Sequence, residues 1–333
     1  MKKSTVISSI IFLIIIVIGG YFFYQNNIAK KSLGKINYGY EVWIGTFPYL
    51  VAYEKGYFKE QGLDVQLVKA ESYAQEISDL LSGRTDFMGD FALVDVVKNV
   101  SLGNKLKVVL STDYSNGGDG IVAKKEIENI SELKGKKVAV EKDTLGEYLL
   151  YDALKKNNMT LADISEVNLT AQEAALAFIR GEVEVAVTYE PDLTLAVEKG
   201  DGWRLYTSAQ SLGLIADALT FKADFLAENS EKVTAVVKAY TKAMDFILTN
   251  PQEAYLIGAK YFNITPVELE KQLLGIKLMT KDDNLNAFFY KTSIDSLHGA
   301  IIQANNFLLE KGTIKTKVDS TEILDSSFIK SLN

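Results

Sequence analysis

The chain has no cysteine among its 333 residues. That excludes a disulfide framework, a thiolate nucleophile, a cysteine-based metal site and a lipid tether on cysteine. It has one histidine, His298, which leaves no basis for a His-rich metal centre or a histidine-based triad, and no metal or other cofactor is expected. Proline is scarce, four in all, and no low-complexity tract interrupts a chain that is 47% hydrophobic and 24% charged. Disorder is therefore not expected, and the length suggests about two domains. Basic residues are outnumbered. The formal charge of −7 becomes −9 once Lys2 and Lys3, the only charges before Gln25, are set aside. Such an acidic remainder is a poor match for phosphate backbones, so no nucleic-acid partner is expected.

What is present first is an uncharged run, "VISSIIFLIIIVIGGYFFY" at Val6–Tyr24, preceded by Lys2 and Lys3. About 20 apolar residues span a bilayer as a helix, and Tyr21, Phe22, Phe23 and Tyr24 suit an interfacial aromatic belt. The alternative is a cleaved signal peptide, but its apolar core is unusually long and no small-x-small site follows it. The reading favours an anchor at 1–24, an N-terminal transmembrane helix. Lys2 and Lys3 favour a cytoplasmic start, against which Lys30, Lys31 and Lys35 weigh. A polar linker covers 25–35. The rest is expected on the extracytoplasmic face of the cell membrane, or secreted if the segment is cut.

Beyond the linker, strand-like and helical patterns alternate. "INYGYEVWI" (36–44) reads as strand, "PYLVAYEKG" (48–56) as a helix ended by Gly56, and "LDVQLV" as strand. "SYAQEISDLLSG" reads as a helix ended by Gly83, "TDFMG" as strand and "DFALVDVVKNV" as helix. Such alternation implies an α/β protein with largely parallel sheets. The segment 74–90 echoes 171–190: a helix, a glycine (Gly83, Gly181), an acid three residues on (Asp86, Glu184), then a short strand. This is either the look of any helix-glycine-strand unit or the mark of two similar lobes enclosing a cleft. After Asn229 the texture becomes helical, and Thr265-Pro266-Val267-Glu268 reads as a capping box with proline at the first helical position.

The segment "GTFPYLVAYEKGYFKEQGLDVQLV" (45–68) resembles the opening of solute-binding proteins of the nitrate/taurine/alkanesulfonate/thiamine-precursor type, the NMT1/THI5-like and SsuA-like family, through Ala52, Gly56, Phe58, Gly62, Leu63 and Val65. "LLSGRTDFMGD", "ISELKGKKVAV", "AALAFIRGEVEVAVTYEPDL" and "VVKAYTKAMDFILTNPQEA" continue the resemblance in order. It implies a bilobed type II periplasmic-binding-protein fold (Venus flytrap), with 36–118 plus 220–333 as one lobe and 119–219 as the other. It also implies a non-catalytic role, in which a small solute is captured between the lobes and delivered to the permease and ATPase subunits of an ABC importer.

Loops at the strand ends line such a cleft. They offer Trp43, Thr46, Phe47 and Tyr49; Ser72 and Tyr73; Asp90; Asp113 and Tyr114; Thr144; Tyr189 and Glu190; and Asp217 near a crossover. Asp119, beside Gly117, Gly118 and Gly120, lies near the other crossover, where "SNGGDG" also reads as an ordinary turn. Asp90 also reads as a helix cap, Trp43 as core, and Asp143-Thr144 as a cap whose N–H groups face the cleft. Lys142 is the only base found near these loops. Acids interleaved with aromatic faces suit an organic cation, an amine or an aminopyrimidine. Sulfonate, taurine or nitrate binding, or a thiamine-pyrimidine synthase-like enzyme, are the alternatives within the same fold.

Overall fold

The computed structural model describes residues 31–289, 291–293 and 296–332. The expected membrane segment at Val6–Tyr24 lies outside them. Among the described residues no helix is long and apolar enough to cross a membrane.

Short β-branched and aromatic runs between turn residues supply eleven strands among the described residues: β1 (Gly34–Tyr40), β2 (Leu63–Lys69), β3 (Phe87–Ala92), β4 (Leu106–Ser115), β5 (Asp119–Lys124), β6 (Lys137–Val140), β7 (Ser165–Asn168), β8 (Val185–Tyr189), β9 (Gly202–Thr207), β10 (Ala216–Lys222) and β11 (Ile276–Leu278). They form two sheets, ordered β11-β4-β10-β3-β1-β2 and β7-β6-β8-β5-β9. Set side by side, β2-β1-β3-β10-β4 and β7-β6-β8-β5-β9 have the same sequence of pairings: two parallel, then two antiparallel. The sequence echo falls on equivalent places in the two sheets. The helix Tyr73–Ser82 ends at left-handed Gly83 and feeds β3, and the helix Ala171–Ile179 ends at left-handed Gly181 and feeds β8. Each glycine supplies a φ near +75° that side chains resist.

The chain passes from the first sheet to the second between β4 and β5, and returns between β9 and β10. The two passages are fastened together. Ser115 Oγ and Ser208 Oγ are 2.7 Å apart, Gly117 donates its N–H to Ser208 Oγ at 2.7 Å, and Asn116 and Gly118 donate to the Gly275 carbonyl at 2.8 Å. Gly117 takes φ 112°, so the glycines of "SNGGDG" shape this crossing.

The helices Ser230–Thr249 and Pro251–Phe262 cover the first sheet, where Tyr240 donates to the Thr112 and Met279 carbonyls, each at 2.9 Å. The capping box expected at Thr265 and Glu268 is present. Each sheet with the helices packed on it forms one body; the helix Leu297–Lys311 reaches across to the second body, that of the five-stranded sheet, where Phe307 meets Tyr148 at 4.2 Å between ring centres. His298 is held by Ser320 at 2.7 Å.

Two local expectations shift. The strand expected over 36–44 stops at Tyr40, because Ile44–Thr46 coils into a single tight turn closed by the Thr46 hydroxyl on the Trp43 carbonyl at 2.7 Å. The helix expected from Asp90 begins only at Leu93. Asp90 is therefore a strand residue and not a cap.

Candidate functional site

Three neighbouring strands of the first sheet each carry one aspartate to the same place. Asp217 on β10 stands opposite Asp113 on β4 in register, and on its other side opposite Ala92 of β3, two residues beyond Asp90. The ladder is irregular on both flanks. The pairings skip one residue at Thr112 on β4, and they skip another on β3 around Gly89 and Asp90. Bulges of this kind re-aim side chains. The gathering itself comes from register: Asp113 is the direct partner of Asp217, and Asp90 lies two residues from Asp217's other partner, so period-2 alternation sets all three on one face beside the bulges. Glu76, on the inner face of the helix Tyr73–Ser82, adds a fourth carboxyl, and Asp119 at the start of β5 a fifth.

All five are buried, none more than 3% exposed. Both carboxyl oxygens of Glu76, Asp90 and Asp113, Oδ1 of Asp217 and Oδ2 of Asp119 have no hydrogen-bonding partner among the described residues. The carboxyls of Glu76 and Asp90 are close enough to act on each other's proton affinity. Trp43 supplies the principal donor: its Nε1–H meets Asp217 Oδ2 at 3.1 Å and leans on Asp113.

Burial pushes every one of these acids up. Asp90 and Asp119 rise to about 7, and Glu76, Asp113 and Asp217 rise well above the carboxylate range, with neighbouring acids adding to the desolvation. No lysine or arginine figures among the groups that set these five. Like charges opposed in a ladder destabilise it, and such carboxyls share protons rather than ionise together.

The second body closes over this cluster. The Tyr189 ring stands edge-on to Trp43 at 5.6 Å between centres, and its hydroxyl is directed at Glu41, just past the end of β1. Tyr73 accepts the Ala92 N–H at 3.0 Å and, with Asp119, Glu141, Thr144 and Tyr189, walls a cavity of about 10 Å³, room for about one water. A second cavity, about 50 Å³, opens between Glu41, Ser72, Thr170, Tyr189 and Asp192. Burial raises Asp192 to about 6 there.

Of the residues expected to bind a ligand, Trp43, Tyr73, Asp90, Asp113, Tyr189 and Asp217 come together. Ser72 and Thr144 cap the helices that border the cleft, accepting from Gln75 at 3.2 Å and Gly146 at 3.3 Å. Thr46 spends its hydroxyl on its own turn. Phe47 packs into the helical layer, against Tyr255 and Gly258. Tyr49 lies in the core beneath the cluster, its hydroxyl 2.9 Å from that of Thr112, and Tyr114 follows Asp113 on the opposite face of β4.

Glu190 already has partners of its own. It accepts from Arg204 at 2.5 Å and from the Thr194 hydroxyl and N–H at 2.8 and 3.0 Å. Arg204, on β9, escaped the count of nearby bases because it is distant in sequence. Lys142, which was counted, turns to Glu166 at 3.1 Å. Glu76 was also missed, although it shares a helical face with Tyr73, Ile77 and Leu80, which is a legible signal. Among the described residues no group of three or more His, Cys, Asp or Glu is arranged to hold a metal ion.

Gly45 keeps the centre of this site open. A methyl group there would overlap both Trp43 Nε1 and Asp113 Oδ2. Gly45→Ala is expected to leave the far-UV circular dichroism unchanged, to lower stability by about 1–3 kcal/mol through overpacking, and to abolish most ligand-induced thermal stabilisation. A full ligand shift in this variant would separate Trp43 and Asp113 from binding.

Residues 43–254 match the NMT1/THI5-like family. The chain belongs to that family. Its relatives include a protein of Brucella abortus, provisionally named a binding protein, 25% identical over 86% of this chain and 88% of the relative. Another, from Bacillus subtilis, is provisionally named as aliphatic sulfonates-binding, 25% identical over 85% of this chain and 84% of the relative. The alkanesulfonate-binding protein SsuA from Xanthomonas axonopodis pv. citri, solved with MOPS bound, superimposes with a TM-score of 0.72 at 14% identity, over 87% of this chain and 98% of that one. The fold of this NMT1/THI5-like chain is thus the α/β periplasmic-binding-protein fold.

Proposed function

We propose that this chain is the extracytoplasmic solute-binding protein of an ABC importer, and that it captures a small solute bearing cationic or strongly donating nitrogen, of the amine, guanidine or aminopyrimidine type. In this reading residues 36–118 with 220–333 and residues 119–219 form two lobes, with the return boundary a few residues earlier, at the start of β10. The lobes hinge at the fastened crossings to admit the solute, and Val6–Tyr24 tethers the protein beside its permease and ATPase. The observation that carries the ligand class is the row of Asp90, Asp217 and Asp113, buried, mutually opposed and without a basic partner. A buried carboxylate lacking a counter-charge costs several kcal/mol. A cation seated among these oxygens removes that cost and gains about 0.5–2 kcal/mol against each aromatic face it meets, with Trp43 and Tyr189 placed to supply them. A thiamine-pyrimidine synthase-like reading finds less support, since the one histidine, His298, sits in the helix Leu297–Lys311 against Ser320.

A thermal-shift panel tests the reading. Choline, guanidinium, simple amines and aminopyrimidines are set against methanesulfonate and nitrate. A true ligand at 100 times its Kd stabilises by about 2.7 kcal/mol. Stabilisation is expected within the nitrogenous set. Saturable stabilisation by methanesulfonate or nitrate, with none by the cations, overturns the assignment of charge.

A further inference from the structure

Three helices begin at the cleft: Tyr73–Ser82 from the first body, and Leu145–Lys156 and Ala171–Ile179 from the second. Helix N-termini carry free N–H groups and positive dipole ends, which draw anions. Here carboxylates of the chain itself already lie beside them, and they do so across the cleft. Asp95, on the first-body helix Leu93–Ser101, accepts the Leu145 N–H of the second body at 3.1 Å. Glu141, just past β6 in the second body, lines one small cavity with Tyr73, the first residue of the first-body helix Tyr73–Ser82, and Ala171, the first residue of the helix Ala171–Ile179. Asp95 and Glu141 are 2% and 8% exposed. Lys98 braces Asp95 at 3.0 Å and also donates to the Asp143 carbonyl across the cleft. The arrangement is reciprocal: each body brings one acid to the start of a helix of the other.

We infer that Asp95 and Glu141 are specificity-determining latches, built-in anions that fill the cleft's helix N-termini on closure, hold the two bodies together and keep anionic solutes out. This rests on the reading of the cleft as the solute site. It accounts for a chain that shares its fold with an alkanesulfonate-binding protein yet lines its centre with acids.

The test uses Glu141→Ala and, independently, Asp95→Ser, each in the full chain. Sodium methanesulfonate is titrated against sodium chloride at equal ionic strength, with melting temperature and the small-angle-scattering radius of gyration as readouts. Wild type is expected to show no methanesulfonate effect beyond that of chloride. Each variant is expected to scatter as a more open particle and to gain a saturable methanesulfonate shift, at least tenfold tighter in apparent affinity than wild type. A folded variant with wild-type dimensions and no gain overturns the latch, as does a wild-type protein that binds methanesulfonate equally well. If circular dichroism shows one variant unfolded, the other carries the test alone, since Asp95 sits on the helix Leu93–Ser101 and Glu141 in the loop after β6. The cation panel on wild type is a separate measurement. Cation binding with inert variants refutes the latches only, and methanesulfonate gained by variants of a protein blind to cations refutes the ligand class only.

Discussion

Asp113→Asn raises the melting temperature of the ligand-free protein and lowers its affinity for a cationic solute by a factor of about 10² or more. Both effects come from one cause. Asp113 is fully buried opposite Asp217, with Asp90 and Asp119 adding like charge, and neither of its oxygens has a hydrogen-bonding partner among the described residues. The amide keeps the volume, removes the repulsion and can donate to Asp217, which is worth about 1–3 kcal/mol to the fold. With solute present the same change takes one carboxylate away from a buried cation, a loss of about 3–5 kcal/mol, or roughly 10² to several times 10³ in Kd. Calorimetric titration and differential scanning of the free protein read the two numbers separately. Glu190→Gln serves as the contrast. Its carboxylate is already satisfied by Arg204 and Thr194, so that variant is expected to lose stability while the intrinsic solute affinity holds. A lower melting temperature in Asp113→Asn with wild-type affinity would return Asp113 to a structural role.

The pH dependence of stability and that of binding run in opposite directions. An unfolded aspartate or glutamate ionises near pH 4. In the folded chain burial holds Asp90 and Asp119 protonated to about 7, and Glu76, Asp113 and Asp217 are pushed in the same direction. Between those limits the folded protein binds more protons than the unfolded one. The stability these acids contribute is therefore complete below about pH 4 and is lost as pH rises through about 7. Surface carboxylates with lysine partners or caps, such as Asp143, Asp163 and Glu268, are held low and contribute the reverse, a loss below about pH 4. The ligand-free protein is thus expected to be most stable near pH 5 and less so at pH 8. A cationic solute competes with the bound protons, so its affinity is expected to rise over the same interval, with proton release. Titrations at pH 7 in two buffers of different ionisation enthalpy measure that release directly. Equal heats in both buffers, with affinity independent of pH from 5.5 to 8, would remove the carboxyl cluster from the binding event.

Much of the architecture was readable in the chain because it is local. Gly83 and Gly181 end helices whose patterns repeat, Thr265 and Glu268 fit a capping box, and the echo of 74–90 in 171–190 fell on equivalent elements of two sheets with matching pairings. Local reading failed where a tertiary contact overrode it. Trp43 and Thr46 close a tight turn where a strand seemed to continue, and Asp90 stays in β3 although the sequence after it looks helical from its first residue. Site residues divided in the same way. Those in one strand-end loop, such as Trp43 and Tyr189, were legible by position. Glu76 was hidden inside an amphipathic pattern, and Arg204, fourteen residues from Glu190, comes beside it only through the packing of β9.

The sequence by itself determined the class of the fold and the acidic, aromatic character of the strand ends, because periodicity, turn residues and composition are written residue by residue; its motifs resembled the family, and its internal echo left one ordinary unit or two lobes both open. The tertiary structure alone decided which acids are bare and which are spent. Asp113 and Asp217 face each other through strand register, Glu190 is neutralised by Arg204, and Asp95 accepts the Leu145 N–H of the other body. The physical reason is that a carboxylate's chemistry depends on the charges and donors within a few ångströms of it. Here those neighbours range from Arg204, 14 residues from Glu190, to Trp43, 174 residues from Asp217.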